Sequence, residues 1–266
     1  MASMRDIKRR KDSIQSTGQI TKAMKLVSTV KLQKAKGRAE NTKPYFDLMY
    51  ETVQSILAKS GHINHKYLKE SESDKKAVIV VTANRGLAGG YNSNITRMII
   101  DEGFTKENTV VYAVGKKGRE LLERKGYEIK ADYSEAINEP IYKDAKEICD
   151  DVLSAFADGE VGEIYLAYTV FKNTVVHEPQ LIRLLPVEAD DAAHETDGSE
   201  ALMTYEPSEE EALDMIIPKY VCSLVYGALI ESVASENGAR MQAMDSATSN
   251  AEEMISNLEL DFNSVA

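Results

Sequence analysis

The residues whose spacing comes nearest to a ligand-binding pattern form the loop Asn-Arg-Gly-Leu-Ala-Gly-Gly-Tyr-Asn at positions 84–92. The loop follows a β-branched run at residues 77–82, where α/β proteins often hold a phosphate on a helix N-terminus. Its glycines lack the Gly-x-Gly-x-x-Gly spacing of a dinucleotide site, and no Lys-Ser or Lys-Thr pair follows them. The pattern therefore favours a tight turn over a nucleotide site, with glycines at positive φ and Asn92 capping the next helix.

Metal-binding residue types occur in two places, and neither has a complete ligand set. His62 and His65 are three positions apart, but no third ligand stands near them in the sequence. An acidic segment lacks the spaced ligand order and the glycine of a calcium loop, and it contains Asp190, Asp191, Glu195 and Asp197. We expect both segments to be polar linkers, with no metal and no cofactor bound.

Nucleophilic chemistry has no recognisable motif in this sequence, because no serine, cysteine or histidine has the neighbours of a known nucleophile. The only two cysteines are Cys149 and Cys222, with 72 residues between them. This spacing supports neither a disulfide framework nor a zinc site. We expect two inert, buried thiols and no catalytic residue.

Charge is segregated along the chain, whose net charge is −11. Residues 1–38 hold eleven Lys and Arg against two Asp, whereas residues 231–266 hold seven carboxylates against Arg240 alone. A basic arm often binds nucleic acid. However, DNA-binding basic helices stand beside a strong leucine seam, whereas here the basic residues lie along the seam itself. We therefore expect the two ends to neutralise each other and no nucleic acid to bind.

Two long helices are predicted at the ends of the chain. An apolar stripe marks a helix over residues 1–58, and its members are Ile7, Ile14, Ile20, Met24, Val27 and Val30. A second stripe marks a helix over residues 207–266 that opens with a capping box of Ser208 and Glu211. Its members are Met241, Met244, Ala247, Ala251, Met254, Ile255, Leu258, Phe262 and Val265. Because each helix would reach about 60 to 70 Å, we predict an antiparallel two-helix coiled coil that projects beyond any domain core.

The segment between these helices, residues 76–187, is predicted to be a Rossmann-like α/β domain. Runs rich in β-branched and aromatic residues are typical of buried strands, and they cover residues 77–82, 109–114, 164–171 and 181–187. Helical patterns separate several of these runs. This alternation predicts a mainly parallel sheet with flanking helices.

Membrane insertion is not expected. The longest uninterrupted apolar runs, such as residues 77–81, fall far short of the ~20 residues that cross a bilayer as a helix. The N-terminus turns polar at once and has no apolar signal core. We expect the chain to stay in the cytoplasm.

Three motifs, in order along the chain, resemble signatures of the ATP synthase gamma subunit family. Residues 17–28, Thr-Gly-Gln-Ile-Thr-Lys-Ala-Met-Lys-Leu-Val-Ser, are similar to its N-terminal signature. Residues 84–92 look like the loop after its first strand, and residues 234–251 resemble its C-terminal signature. The chain is identified as a member of this family on motifs that span nearly its whole length.

The resemblance implies a rotor. Paired N- and C-terminal helices would form a shaft inside a ring of three alpha and three beta subunits, with the α/β domain outside that ring. Ion flow would turn the membrane c-ring, and with it the epsilon subunit and the shaft, while nucleotide chemistry would occur on the partners. The resemblance also implies a peripheral position on the cytoplasmic face of a bacterial membrane, reached only through the complex.

The same motifs imply which residues face the partners. Basic residues on the first helix would meet acidic stator loops at long range. The whole set comprises Lys8, Arg9, Ile20, Lys22, Met24, Lys25, Arg85, Gly86, Leu87, Gly89, Gly90, Tyr205, Arg240, Met241 and Met244.

Two other classes stay open on the residues alone, namely a nucleotide-binding α/β enzyme and a static coiled-coil scaffold. An isolated shaft is expected to be poorly stable and to expose methionines such as Met244 and Met254. Family members usually continue beyond the position of Val265 with an Arg-Gln pair that forms the shaft's tip. From this sequence we therefore expect weakened but not abolished torque.

Overall fold

The computed structural model describes residues 4–59, 64–69, 71–188 and 208–265, which form two long helices and an α/β domain between them in sequence. The helices are α1 (Met4–Lys59), α2 (Tyr91–Asp101), α3 (Lys116–Arg124), α4 (Tyr142–Ala157) and α5 (Glu209–Val265). The strands are β1 (Lys76–Val81), β2 (Thr109–Val114), β3 (Glu128–Asp132), β4 (Glu163–Phe171) and β5 (His177–Leu185).

The five strands form one sheet in the order β3-β2-β1-β4-β5. β3, β2, β1 and β4 run parallel, and β5 returns antiparallel to β4. The predicted mainly parallel sheet is therefore confirmed. The sequence patterns missed β3, because this edge strand alternates charged and apolar residues and none of its residues is fully buried.

Packing on the two faces of the sheet explains why the central strands read as continuous apolar runs. On one face, Ile95 and Ile99 of α2 and Leu122 of α3 pack against β1 and β2. On the other, α4 and the first half of α5 form the larger core, where Ile148 and Val225 are fully buried. Strands covered on both faces have no solvent side on which polar residues would be favoured.

One stretch of α5 is long and apolar enough to span a membrane by composition, within Glu210–Asn263, at a mean hydropathy of 1.5. However, 56% of that stretch is buried inside the protein. Leu213, Ile217 and Val221 lie in the core beneath the sheet with almost no exposed surface. Packing therefore accounts for the apolar character of this helix.

The ends of α5 and α1 pair as an antiparallel coiled coil, as predicted. Ser208 Oγ accepts the Glu211 N–H at 3.2 Å and caps the start of α5, and the helix continues through Pro218. Along the pair, Lys11 meets Glu259 and Lys25 meets Asp245, so the residue numbers rise on one helix and fall on the other. This order fixes the antiparallel direction.

The predicted seam on α1 was wrong beyond its first turns. Ile20, Val27 and Val30 are 60%, 57% and 71% exposed. The buried line instead follows a seven-residue spacing of largely small and hydroxyl side chains, namely Ile7, Ile14, Thr21, Ser28 and Ala35. The prediction chose the most apolar positions, whereas the two helices pack through the faces that carry small side chains.

Close approach is visible at two points along this seam. Thr21 Oγ1 and Thr248 Oγ1 share a hydrogen bond of 2.7 Å across the pair. A Cβ added at Gly18 would lie 3.3 Å from the Cβ of Ala251. On α5 the buried line steps by four and three through Met244, Thr248, Ala251, Ile255 and Leu258, so most of the predicted stripe holds, but Met254 lies off it.

We predict that Gly18→Leu destabilises the chain because the added side chain forces the helices apart. Overpacking of this kind costs about 1 to 3 kcal/mol. Gly37→Leu is the matched control, since Gly37 lies on the same helix with nothing within 4 Å of its added Cβ, and it should gain about 0.8 kcal/mol from helix propensity. Urea denaturation of both variants measures the difference, and equal midpoints would contradict a tightly packed seam.

Candidate functional site

The loop at residues 84–92 is a rigid turn at the carboxyl end of β1. Asn84 donates from Nδ2 to the Ser134 carbonyl at 2.7 Å and accepts the Lys116 N–H at 2.9 Å, so it ties the loop to two neighbouring connections. Gly89 has a φ of 56°, as expected for a glycine in a turn. Leu87 also has a positive φ, 61°, which is uncommon for a residue with a side chain.

Asn92 does not cap α2 as predicted, because the N-cap position belongs to Gly90. The Asn92 Oδ1 instead accepts the Ala83 N–H at 2.8 Å, and its Nδ2 lies 3.4 Å from the Arg85 carbonyl. The side chain therefore bridges the two ends of the loop. The tight turn was therefore predicted correctly, whereas the prediction that Asn92 caps α2 was wrong.

The loop docks directly onto α5, and this contact was not visible in the sequence. Ala88 and Tyr91 are buried against Ala239. The Tyr91 hydroxyl donates to the Ser232 carbonyl at 3.1 Å, and burial raises the pKa of this phenol. These contacts place the α/β domain on the shaft helix at a fixed position.

Arg240 adds a polar clamp at the same place. Its guanidinium lies 3.4 Å from the Gly86 carbonyl through both Nε and Nη2, and Nη2 is 2.7 Å from Glu236 Oε1. The arginine side chain is only 11% exposed. A buried arginine of this kind is held by its partners, because an unpaired buried charge is unfavourable.

A second set of contacts joins α5 to the strands β4 and β5. Ser235 Oγ donates to the Thr169 carbonyl at 3.1 Å. A Cβ on Gly238 would lie 2.5 Å from His177 Cε1, so only glycine allows this approach of α5 to the sheet. Burial lowers the pKa of His177.

We name the surface between the shaft and the loop the shoulder groove, lined by Ile20, Met24, Val27, Lys31, Lys34, Arg38, Arg85, Leu87 and Ile137. Its volume is about 710 Å³. Its lining combines apolar side chains with charged ones of both signs, since Glu139 and Glu236 also line it and pair with Lys34 and Arg240. Leu87 is 62% exposed, so the positive φ of its backbone presents an apolar side chain to solvent.

Basic residues on α1 divide into paired and unpaired groups. Lys11 lies 2.7 Å from Glu259 and Lys25 lies 2.5 Å from Asp245, so the expected neutralisation of the two ends occurs in part. Lys8, Arg9 and Lys22 are exposed, and they have no ion pair within the part of the chain that the structure describes. The shaft therefore keeps a free positive charge on its outer surface.

The remaining predicted interface residues lie in different settings. Gly86, Gly89 and Gly90 are exposed on the loop. Met241 packs against Leu32 and Ala35 inside the pair. Met244 is only 4% exposed, so the expectation that it would be a surface methionine is wrong, whereas Met254 is 48% exposed as expected. Tyr205 lies outside the described residues.

The candidate metal residues form no site in the ranges that the structure describes. His65 is buried, its Nδ1 accepts the Tyr67 N–H at 3.2 Å, and its Nε2 lies 3.0 Å from Asp214 Oδ1. This histidine therefore links the segment after α1 to α5. His62 and the acidic group Asp190, Asp191, Glu195 and Asp197 lie outside the described residues.

The outer face of α1 carries exposed apolar side chains beside the shoulder groove. Leu26, which the patterns missed, and Val30, which they placed in the seam, extend the outer face of α1 with exposures of 63% and 71%. The available signal was the seven-residue run of small seam residues, which places these side chains outside. Contiguous exposed apolar patches are typical of contact surfaces for other proteins.

Comparison with known sequences gives one consistent family. A family model described as ATP synthase matches residues 3–265. The ATP synthase gamma chain of Lachnoclostridium phytofermentans is 66% identical over 269 residues, covering 99% of this chain and 92% of the relative. A gamma chain of Acetobacterium woodii, described as sodium ion specific, is 41% identical over 279 residues, with the same coverage.

Solved structures agree with this. A chain from the central stalk and c-ring of the Tetrahymena thermophila mitochondrial ATP synthase is 25% identical with a TM-score of 0.64, covering 86% of this chain and 99% of that one. A rotor chain of the Euglena gracilis mitochondrial ATP synthase gives a TM-score of 0.70 at 16% identity, covering 98% and 96%. At 16% identity, the similarity to the Euglena chain shows a shared fold.

We predict that Tyr91→Phe loosens the domain from the shaft helix. The change removes one buried hydrogen bond to the Ser232 carbonyl, which lowers the free energy of unfolding by about 1 kcal/mol. Tyr45→Phe is the matched control, because Tyr45 is 49% exposed and its change should stay within about 0.5 kcal/mol. Urea denaturation compares them, and an unchanged midpoint for Tyr91→Phe would contradict a stabilising bond.

Proposed function

The chain belongs to the ATP synthase gamma family, and from this premise we propose that it is a non-catalytic shaft whose outer surface drives partner subunits. It is a central-stalk rotor subunit of a rotary ATP synthase. The observation that carries the proposal is the arrangement of α1. In its middle part the small residues Gly18 and Thr21 contact α5. Ile20, Val27 and Val30 face outward there.

A shaft must transmit torque, and the interior of the helix pair suits this task. The Thr21–Thr248 hydrogen bond and the close contact of Gly18 with Ala251 hold the helices together without bulky side chains. Small seam residues let two backbones approach closely, which leaves little room for sliding or twisting. The clamp of Arg240 on Gly86 then passes rotation from the α/β domain to α5.

The partners proposed are three alpha and three beta subunits around the helix pair, and the epsilon subunit and c-ring at the α/β domain. The Tetrahymena neighbour is described as part of a central stalk and c-ring, which supports this placement. Nucleotide chemistry would occur on the ring subunits. The complex would sit on the cytoplasmic face of a bacterial membrane, and this chain would reach the membrane only through it.

Contact with the ring would combine apolar and electrostatic parts. Lys8, Arg9 and Lys22 are exposed and unpaired among the described residues, so they favour acidic loops on a partner at long range. The shoulder groove adds apolar side chains, among them Val27 and Leu87. Long-range attraction tolerates rotation, whereas the groove favours particular angles.

The first experiment identifies the assembly. Tagged full-length protein, expressed together with the ring subunits of its own organism, should bring down a 3:3 nucleotide-binding ring with one copy of this chain. Native mass spectrometry gives the stoichiometry. In the purified complex, cryo-electron microscopy should find the shaft in three positions about 120° apart, because a threefold ring offers three equivalent angles.

Three results would overturn this function. Capture of no ring subunits would remove the rotor role. Calorimetric binding of ATP by the purified chain alone at micromolar affinity, or about −8 kcal/mol, would instead favour the nucleotide-binding alternative. A single shaft position under all nucleotide conditions would favour a static scaffold.

A second experiment tests the outward apolar face. Val27→Asp replaces a residue that is 57% exposed in the free chain, so the stability of the free chain should change little. Loss of roughly 1 to 2 kcal/mol of apolar contact should weaken assembly with the ring by about 5- to 30-fold. The measurement is a titration of labelled chain with purified ring.

The matched control is Val175→Asp, since Val175 is 70% exposed and lies off α1, in the turn between β4 and β5 that faces Ala239 and Gln242 of α5. It should assemble like the unchanged chain. Equal affinities for both variants would show that the outward face of α1 does not contact the ring.

A further inference from the structure

The helix α1 contacts the α/β domain at well-separated levels. Near its carboxyl end, Val53 and Ile56 are buried in the larger core. Arg38 reaches the domain about 22 Å before Val53 along the helix axis. At the level of Arg38, Leu32 and Ala35 also pack beside the end of β4. Because apolar packing is non-directional, the polar contact of Arg38 is the one that can set the angle of the helix.

The Arg38 guanidinium joins α1 to two other parts of the chain. Its Nη2 donates to the carbonyl of Pro140, in the connection between β3 and α4, and lies 3.4 Å from the Tyr226 hydroxyl on α5. The Tyr226 ring makes edge-on contacts with Phe46 and Tyr142, at 6.2 and 5.7 Å between ring centroids. Arginine suits this position because its planar group fixes the direction of each N–H.

The Pro140 carbonyl belongs to a connection that is fixed to the domain. Ile137 is 2% exposed and lies in the larger core. Asn138 Oδ1 accepts a hydrogen bond of 3.0 Å from Asn84 Nδ2, in the loop after β1. Arg38 therefore donates to an acceptor whose place is set by the domain.

These contacts close a ring around the shoulder groove. Arg38 links α1 to Pro140, and Asn84 links that connection to the loop after β1. In the loop, the Gly86 carbonyl lies 3.4 Å from the Arg240 guanidinium of α5, and the seam leads from α5 back to α1. All five residues line the groove. A closed ring resists twisting more than an open one, because no member can turn without displacing the others.

We propose that Arg38 is a positioning residue that fixes the rotation of α1 relative to the α/β domain, so that torque enters both helices of the shaft. The torque role rests on the proposed rotor function, whereas the fixing of α1 does not. The clamp of Arg240 holds α5. Without Arg38, α1 would follow the domain through apolar packing and through its pairing with α5. Lys34 is a poor substitute, since its pair with Glu139 is largely exposed and such pairs contribute little.

Pulsed electron paramagnetic resonance of the purified full-length chain measures the angle of each helix as a distance distribution. Nitroxide labels at Val30→Cys and Lys125→Cys report α1 against the domain, and labels at Ser249→Cys and Lys125→Cys report α5. The three positions are exposed. The two native cysteines are buried, as expected from the sequence, and the unsubstituted chain shows any background labelling. Arg38→Met should widen the α1 distribution and leave the α5 distribution unchanged.

Two further variants act as controls. Arg38→Lys should recover part of the narrow distribution, because lysine can still donate to the Pro140 carbonyl. Lys36→Met should widen neither distribution, since Lys36 pairs at 3.8 Å with Glu40 of the same helix. If Arg38→Met does not fold, Arg38→Gln, which is shorter and uncharged, takes its place. An unchanged α1 distribution, or equal widening for α1 and α5, would overturn the proposal.

A second measurement separates the failure of this proposal from the failure of the rotor function. In the purified complex with ring subunits, a probe on Lys125→Cys should cover a wider range of angles at each pause with Arg38→Met than with Lys36→Met. Capture of no ring would remove the rotor function and leave the distances in the free chain as the test of Arg38. Pauses of equal width beside widened distances would overturn the torque role.

Discussion

The packing of α5 against two different surfaces is the constraint on which the rest of the structure depends. Its first half completes the core beneath the sheet, with Leu213, Ile217 and Val221 buried. Its second half leaves the domain and pairs with α1 along small residues. A single continuous helix therefore belongs to both the domain and the shaft. Bending or sliding of α5 at the boundary would disrupt one packing surface or the other.

The loop after β1 contacts α5 at this boundary. A glycine-containing turn at the carboxyl end of a parallel strand is the usual place for a phosphate in α/β proteins. In this chain the same position is filled by contacts with α5, through Tyr91, Ala88 and Arg240. Residues at a position that binds a ligand in other α/β proteins here attach the domain to α5. This is a physical reason for a Rossmann-like domain to act as a structural part of a rotor.

The basic residues of α1 likewise divide into some that pair with α5 and some that face solvent. Lys11 and Lys25 pair with carboxylates of α5 and help to align the two helices. Exposed ion pairs of this kind contribute little to stability, so their main effect is on alignment. The exposed Lys8, Arg9 and Lys22 add a field that reaches beyond the protein surface.

The sequence alone determined the general plan of the protein. Proline-free stripes at both ends required long helices, β-branched runs separated by helical faces required a mainly parallel sheet, and segregated charge favoured pairing of the two ends. These features depend on local periodicity, which a sequence displays directly. The tertiary structure decided which helix face became the seam, because close approach favours Thr21 and Ser28 over the more apolar Ile20 and Val27. It also decided that Asn92 closes the loop and that Tyr91 holds α5. The first of these contacts spans nine residues and the second spans 141, and no helix or strand periodicity specifies either one.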